Sequence, residues 1–107
     1  MTEITVFDFE DNAVRVIEID GEPWFVAADV ARVLEYRDAE VACRALDEDE
    51  KGTLNVCTPG GNQEMKGINE SGLYHLVLVS RKPEAKRFRK WVTAEVLPSI
   101  RKTGMYA

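Results

Sequence analysis

Four cations stand within five residues near the end of this chain: Lys86, Arg87, Arg89 and Lys90. Arg81 and Lys82 precede them, and Arg101 and Lys102 follow. Ammonium and guanidinium groups at this density do one kind of chemistry well, which is to replace the counterions of a polyphosphate. A helical wheel at ~100° per residue separates the segment into two sides. Ala85, Phe88, Trp91, Val92 and Val96 fall on one arc, while Lys86, Arg87, Arg89, Lys90 and Thr93 fall on the other. The apolar arc can dock, which leaves the cationic arc facing water. Glu84 and Glu95 are the acidic residues of the stretch, so the alternating i,i+4 pairs of an ordinary solvated face are sparse.

The net charge of −5 over 107 residues argues against a nucleic-acid binder, but its distribution does not. Residues 1–50 hold 15 acidic and 4 basic side chains, residues 51–80 hold 2 of each, and residues 81–107 hold 8 basic and 2 acidic. The local field is what a polyanion meets first. Two readings stay open: the cations grip phosphate, or ion pairs to the acidic first half consume them. Arg37, Arg44 and Lys66 are secondary candidates for phosphate contact, and Arg87 and Arg89 for base contact.

Other groups offer less. Ser71 and His75 form an i,i+4 pair on a helix, but no acidic orienter of the imidazole is evident, so no catalytic residue is assigned. Asp29 and Glu35 read as helix-surface or capping carboxylates. Asp47-Glu48-Asp49-Glu50-Lys51-Gly52 reads as a solvated loop whose spacing fits no EF-hand. Cys43 and Cys57 form no CxxC pair and read as two reduced thiols. A single His75 leaves no zinc ligand set, no phosphate-binding GxxxxGK[ST] loop is present, and neither metal nor cofactor is expected. Trp24 and Trp91 read as core residues. Neither a secretory signal nor a run of ~20 apolar residues occurs, so the expected location is the cytoplasm with no membrane contact.

The elements that must position the cations follow from periodicity. Residues 3–9 and 13–19 are rich in β-branched and aromatic types around a Glu10-Asp11-Asn12 turn, which predicts a β-hairpin. Asp20-Gly21 suits a tight turn with positive φ at both positions, and a third strand follows over Glu22–Val26, with Trp24 and Phe25 on opposite faces. Ala27, Val30, Ala31 and Leu34 start a helix of about ten residues. A second, across Ala39–Leu46, follows the Glu35–Asp38 linker, and the pair has the outline of a helix-turn-helix on an acidic segment. Thr58-Pro59-Gly60-Gly61-Asn62 divides a second hairpin. Asn69 or Ser71 caps a mostly apolar helix from Leu73. Pro83 opens the basic helix at its first turn, and Pro98 ends or kinks it, with one further turn available over Ser99–Thr103. The expected architecture is α+β: a small, mostly antiparallel sheet of two hairpins packed with about four to five helices, in a single domain spanning 1–107.

Six segments, in this order, carry a resemblance: 19–30 (IDGEPWFVAADV), 46–52 (LDEDEKG), 58–63 (TPGGNQ), 68–74 (INESGLY), 80–86 (SRKPEAK) and 91–104 (WVTAEVLPSIRKTG). Together they cover nearly the whole chain, which resembles the N-terminal domain of the BRO family, a family that includes baculovirus repeated-ORF proteins and phage or prophage antirepressors. The resemblance implies DNA binding, a role in viral or prophage gene regulation inside a bacterial host cell, no catalytic motif, and a variable second domain, so the chain reads as the first domain of a longer protein. It also implies a rival: an antirepressor can act on a repressor protein without touching DNA. A homo-oligomer is compatible with either. The resemblance names no contact residues, so Arg81, Lys82, Lys86, Arg87, Arg89, Lys90, Arg101 and Lys102 rest on the wheel and the charge distribution.

Overall fold

A computed structural model describes residues 4–80 and 82–103, with backbone alone for 101–103. Five strands, β1 (Ile4–Phe9), β2 (Asn12–Ile19), β3 (Glu22–Val26), β4 (Lys51–Thr58) and β5 (Gly61–Asn69), form one antiparallel sheet in the order β1-β2-β3-β5-β4. The helices are α1 (Ala27–Val33), α2 (Ala39–Cys43), α3 (Glu70–Val79), α4 (Pro83–Trp91) and α5 (Leu97–Thr103). A 3₁₀ turn over Glu48–Glu50 precedes β4, and a π-helical turn over Val92–Val96 joins α4 to α5. The expected α+β class is the observed one.

Turn chemistry sets the registers. Asp20 and Gly21 both have positive φ, as the primed hairpin turn requires, and Glu10 and Asp11 adopt the same geometry without a glycine. The Pro59-Gly60 turn is tighter than its five polar residues suggest, because Thr58 and Gly61 already pair as strand partners.

Alternation along the strands gives the sheet two apolar faces. Val14, Val16, Phe25 and Ile68 meet the helices in the main core. Ile17 and Val26 point the other way, and the long β4–β5 hairpin closes over them with Leu54 and Val56. Trp24 belongs to this smaller cluster and Phe25 to the main core, the opposite-face placement that the period of two demands. Gly67 permits the closure, since a Cβ there would lie 2.5 Å from the Leu54 side chain.

Helix ends depart from the sequence expectation where local capping overrides hydrophobic period. α1 stops at Val33 rather than running ten residues. Tyr36 N–H donates to the Ala31 carbonyl and Glu35 N–H to that of Arg32, a Schellman closure with Glu35 at φ 63°. α2 covers five residues and stops at Cys43, although Leu46 remains buried. At five residues it is too short for the recognition helix of a helix-turn-helix. Pro98 neither ends nor sharply breaks the last helix. It has no N–H, and its ring would clash with the carbonyl four residues back. The preceding turn widens instead, so that Leu97 N–H reaches the Val92 carbonyl five residues away, and the chain then returns to α geometry.

Candidate nucleic-acid interface

The π turn extends one nearly continuous helical rod from Pro83 to Thr103, and its docking side is aromatic. Phe88 and Trp91 stack at 5.6 Å between ring centroids, and Phe9 of β1 packs on both, at 5.2 Å and 5.1 Å. Phe7 meets Trp91 edge-on at 6.1 Å. Ala85, Phe88, Val92 and Val96 are buried, which fixes the rotation of α4. Lys86, Arg87, Arg89 and Lys90 are therefore exposed, as the wheel requires. Trp91 is half-buried in the core, so the packing role expected of it holds.

The exposed cations are not equivalent. Arg87 turns toward the β1–β2 turn and donates two hydrogen bonds to the Glu10 carboxylate, at 2.7 and 3.1 Å. The pair holds the Glu10 carboxyl below the usual range. Lys82, just before α4, donates to Glu35 at 2.8 Å, and this contact lowers the Glu35 carboxyl in the same way. The acidic first half thus consumes two of the candidate cations. Lys86, Arg89 and Lys90 form no ion pair among the described residues and are exposed on the side of α4 away from the core, where Arg89 and Thr93 border α3. The Thr93 hydroxyl on that face is spent internally on the carbonyls of Arg89 and Lys90, at 3.1 Å each. Arg81 lies outside the described residues, as do the side chains of Arg101 and Lys102, whose backbone belongs to α5.

Elsewhere most described cations are paired as well: Arg15 and Arg32 with Asp29, Arg37 with Asp38, and Lys51 with Glu48. Arg44 and Lys66 are the other described cations without a salt bridge. They line a cleft of about 350 Å³ between α2 and the β4–β5 hairpin, which they share with Glu40 and Glu48. That mixed lining makes it a weaker phosphate site than α4.

Two carboxylates that read as surface groups in the sequence are buried. Asp29 is 1% exposed. It accepts from the Arg15 backbone N–H and Nε at 2.9 Å, from another Arg15 guanidinium nitrogen at 3.0 Å and from Arg32 at 3.2 Å. It is thus a clamp between α1 and β2 rather than a surface or capping acid. Glu50 sits inside the acidic run rather than in a solvated loop. It accepts from the Asp47 N–H at 3.0 Å and the Ser71 hydroxyl at 2.9 Å, and it lies 2.9 Å from His75 Nδ1. The His75 contact, then the Asp47 N–H and the Ser71 hydroxyl, pull its carboxyl down to about 2. His75 therefore has the acidic partner that the sequence hid, 25 residues away. The Ser71 hydroxyl, however, bonds the carboxylate and not the imidazole, so the trio lacks the nucleophile–base contact of a hydrolase. It fastens the 3₁₀ turn to α3 instead, alongside Asn69. The Asn69 side chain accepts from Gly72 N–H at 2.9 Å as the α3 cap and donates to the Asp49 carbonyl at 2.8 Å. Asn69, not Ser71, is the cap.

Both cysteines are free, Cys43 buried and Cys57 exposed, and burial raises the Cys43 thiol. Among the described residues no group of three or more His, Cys, Asp or Glu could hold a metal, and no helix is long and apolar enough to cross a membrane.

The BRO family, N-terminal domain, matches residues 13–98. An uncharacterized protein of Haemophilus influenzae is 44% identical over 97% of this chain and 53% of its own length. A Bro-N domain-containing protein of Invertebrate iridescent virus 6 is 35% identical over 91% of the chain and 28% of its own length. One from Autographa californica nuclear polyhedrosis virus is 31% identical over 89% and 34% respectively. The chain thus spans about half of the first of these relatives and about a third or a quarter of the others. No solved structure gave a significant match.

Proposed function

The chain belongs to the BRO family through that family's N-terminal domain, and from this premise we propose that it is a DNA-binding regulatory domain, of the kind found in phage and prophage antirepressors, that holds the phosphate backbone on the exposed face of α4. One observation carries the reading: Lys86, Arg89 and Lys90 stand together with no ion pair to any described residue, in a chain whose described cations are otherwise mostly neutralised. Keeping three like charges adjacent on a helix costs stability at i,i+3 and i,i+4 spacing. A bound polyanion removes that repulsion and gains counterion release. Arg81, Arg101 and Lys102 flank the site in sequence and belong to the proposed footprint. Lys82 and Arg87 join it only by leaving Glu35 and Glu10. Residues 1–107 act as one domain of a longer protein that works in the cytoplasm of the host.

Fluorescence anisotropy of a labelled, nonspecific duplex tests the proposal. Binding at low salt that weakens steeply as salt rises is the expected result. Absence of affinity at low salt sinks it, and leaves a module that acts by docking on a repressor or another protein.

A further inference from the structure

Four large hydrophobic side chains are exposed among the described residues, and Leu78 is the most exposed of them at 81%. Val79, beside it, is 52% exposed. Both sit at the end of α3, in the corner where the chain turns into α4. One helical turn earlier, Tyr74 is half-buried, and Tyr74, Leu78, Arg89 and Thr93 line a shallow cleft of about 330 Å³ between the two helices. Arg89 is the cation that lines this cleft, and Lys86 and Lys90 stand beside it on the exposed side of α4. A leucine held out in water beside Arg89, with Lys86 and Lys90 on the adjoining exposed face, suits neither solvent nor a row of phosphates alone.

Duplex DNA presents apolar surface beside its phosphates at the thymine methyls of the major groove and at the faces of its stacked bases, and a leucine-sized wedge reaches the latter where a base step opens toward the minor groove. We propose that the α3–α4 corner enters the minor groove, with the Leu78 side chain as a wedge at a base step, Arg89 in the groove beside it, and Lys86 and Lys90 on the flanking phosphates. This rests on the phosphate-binding reading of α4. Charge complementarity with Arg89 in the cleft and Lys86 and Lys90 beside it selects a polyanion as the occupant, and the exposed Leu78 in the lining selects the groove floor over the backbone. The corner carries no Asn or Gln, and Thr93 spends its hydroxyl on the helix carbonyls. Selectivity at this contact then follows how easily a step opens, with the pyrimidine–purine steps TA and CA favoured, rather than hydrogen bonds to base edges.

The test uses the chain as it is, with a duplex of about 30 base pairs carrying a central TA step and dyes at both ends, so that energy transfer reports a kink of the usual wedge size, ~20–90°. Leu78→Ala and Leu78→Lys are compared with the parent. Because Leu78 is so exposed, neither change should move the urea midpoint of unfolding, which is measured alongside. The parent is expected to shorten the dye separation. Leu78→Ala should abolish the shortening and weaken binding about tenfold, the loss of one buried leucine contact, with an unchanged salt slope. Leu78→Lys should also lose the bend. A parent that binds without bending overturns the proposal, as does a Leu78→Ala variant that bends and binds like the parent. A Leu78→Lys variant that binds more tightly, with a slope steeper by ~0.9, overturns it too, because it would show Leu78 facing phosphate. Loss of affinity in Lys86→Gln/Arg89→Gln/Lys90→Gln with no effect at Leu78 would refute the wedge and keep the phosphate reading. No DNA affinity at all would refute both, and Leu78-dependent self-association in sedimentation would then assign the patch to a second copy of the chain.

Discussion

Neutralising the three unpaired cations of α4 gives a prediction whose size follows from the ion-pair pattern. Each phosphate contact contributes ~0.9 to the slope of log affinity against log salt. Lys86, Arg89 and Lys90 together then supply a slope of about 2.7, so raising salt from 50 to 200 mM, a fourfold change, should cost the domain about 40-fold in affinity through these three alone. The triple variant Lys86→Gln/Arg89→Gln/Lys90→Gln should lose that portion of the slope. Its stability should be unchanged or raised by less than ~1 kcal/mol, because all three side chains are exposed, form no ion pair with a described residue and repel one another. Arg87→Gln should behave differently, since its guanidinium is already held by Glu10 in two hydrogen bonds. It should change the slope little, whereas Glu10→Gln, which releases Arg87, should raise it by up to ~0.9. Anisotropy titrations of one nonspecific duplex at four or five salt concentrations measure all of these slopes. A triple variant with the parental slope, or an Arg87→Gln variant that loses as much as the triple, would refute the assignment of the face.

Three further outcomes concern what holds the site in place. Asp29→Ala removes the acceptor for four hydrogen bonds and leaves the Arg15 N–H unpaired; it should cost about 3 kcal/mol in urea unfolding, the low end for a broken buried pair because both arginines reach water, and a loss below ~1 kcal/mol would show the clamp to be dispensable. Glu50 has a lowered folded-state pKa, so the stability it contributes is full above its ordinary 4.5 and drains away as pH falls toward about 2; Glu50→Gln should flatten this acid limb of the stability–pH curve, and an unchanged limb would count against the cluster. Gly67→Ala places a methyl 2.5 Å from the Leu54 side chain and should destabilise the β4–β5 closure by ~1–3 kcal/mol, read as a shifted denaturation midpoint.

Local chemistry made much of the fold readable. Asp20-Gly21 announced a turn whose φ angles only small or compatible residues accept, and strand alternation placed Trp24 and Phe25 on opposite faces. Helical period put Phe88 and Val92 inside and Lys86, Arg89 and Lys90 outside. Helix lengths were less readable. Period alone continues α1 past Val33, but the Glu35 closure depends on hydrogen bonds with no hydrophobic signature. The π turn before Pro98 is likewise a backbone answer to a missing N–H, and periodicity does not display it.

The amino-acid order by itself determined that one helix of an acidic chain is cationic on one side and apolar on the other, because both properties repeat at a spacing of three and four residues. It could not tell which of those cations are free. Glu10 meets Arg87 across 77 residues and Glu35 meets Lys82 across 47, and separations of that length are closed by the sheet and the helix packing, not by any neighbour in sequence. The same holds for Glu50 with His75 and for Asp29 with Arg15. An ion pair depends on distance in space, so tertiary structure alone decided that, among the described side chains of the basic segment, Lys86, Arg89 and Lys90 carry no ion pair, and that an exposed leucine shares a cleft with Arg89.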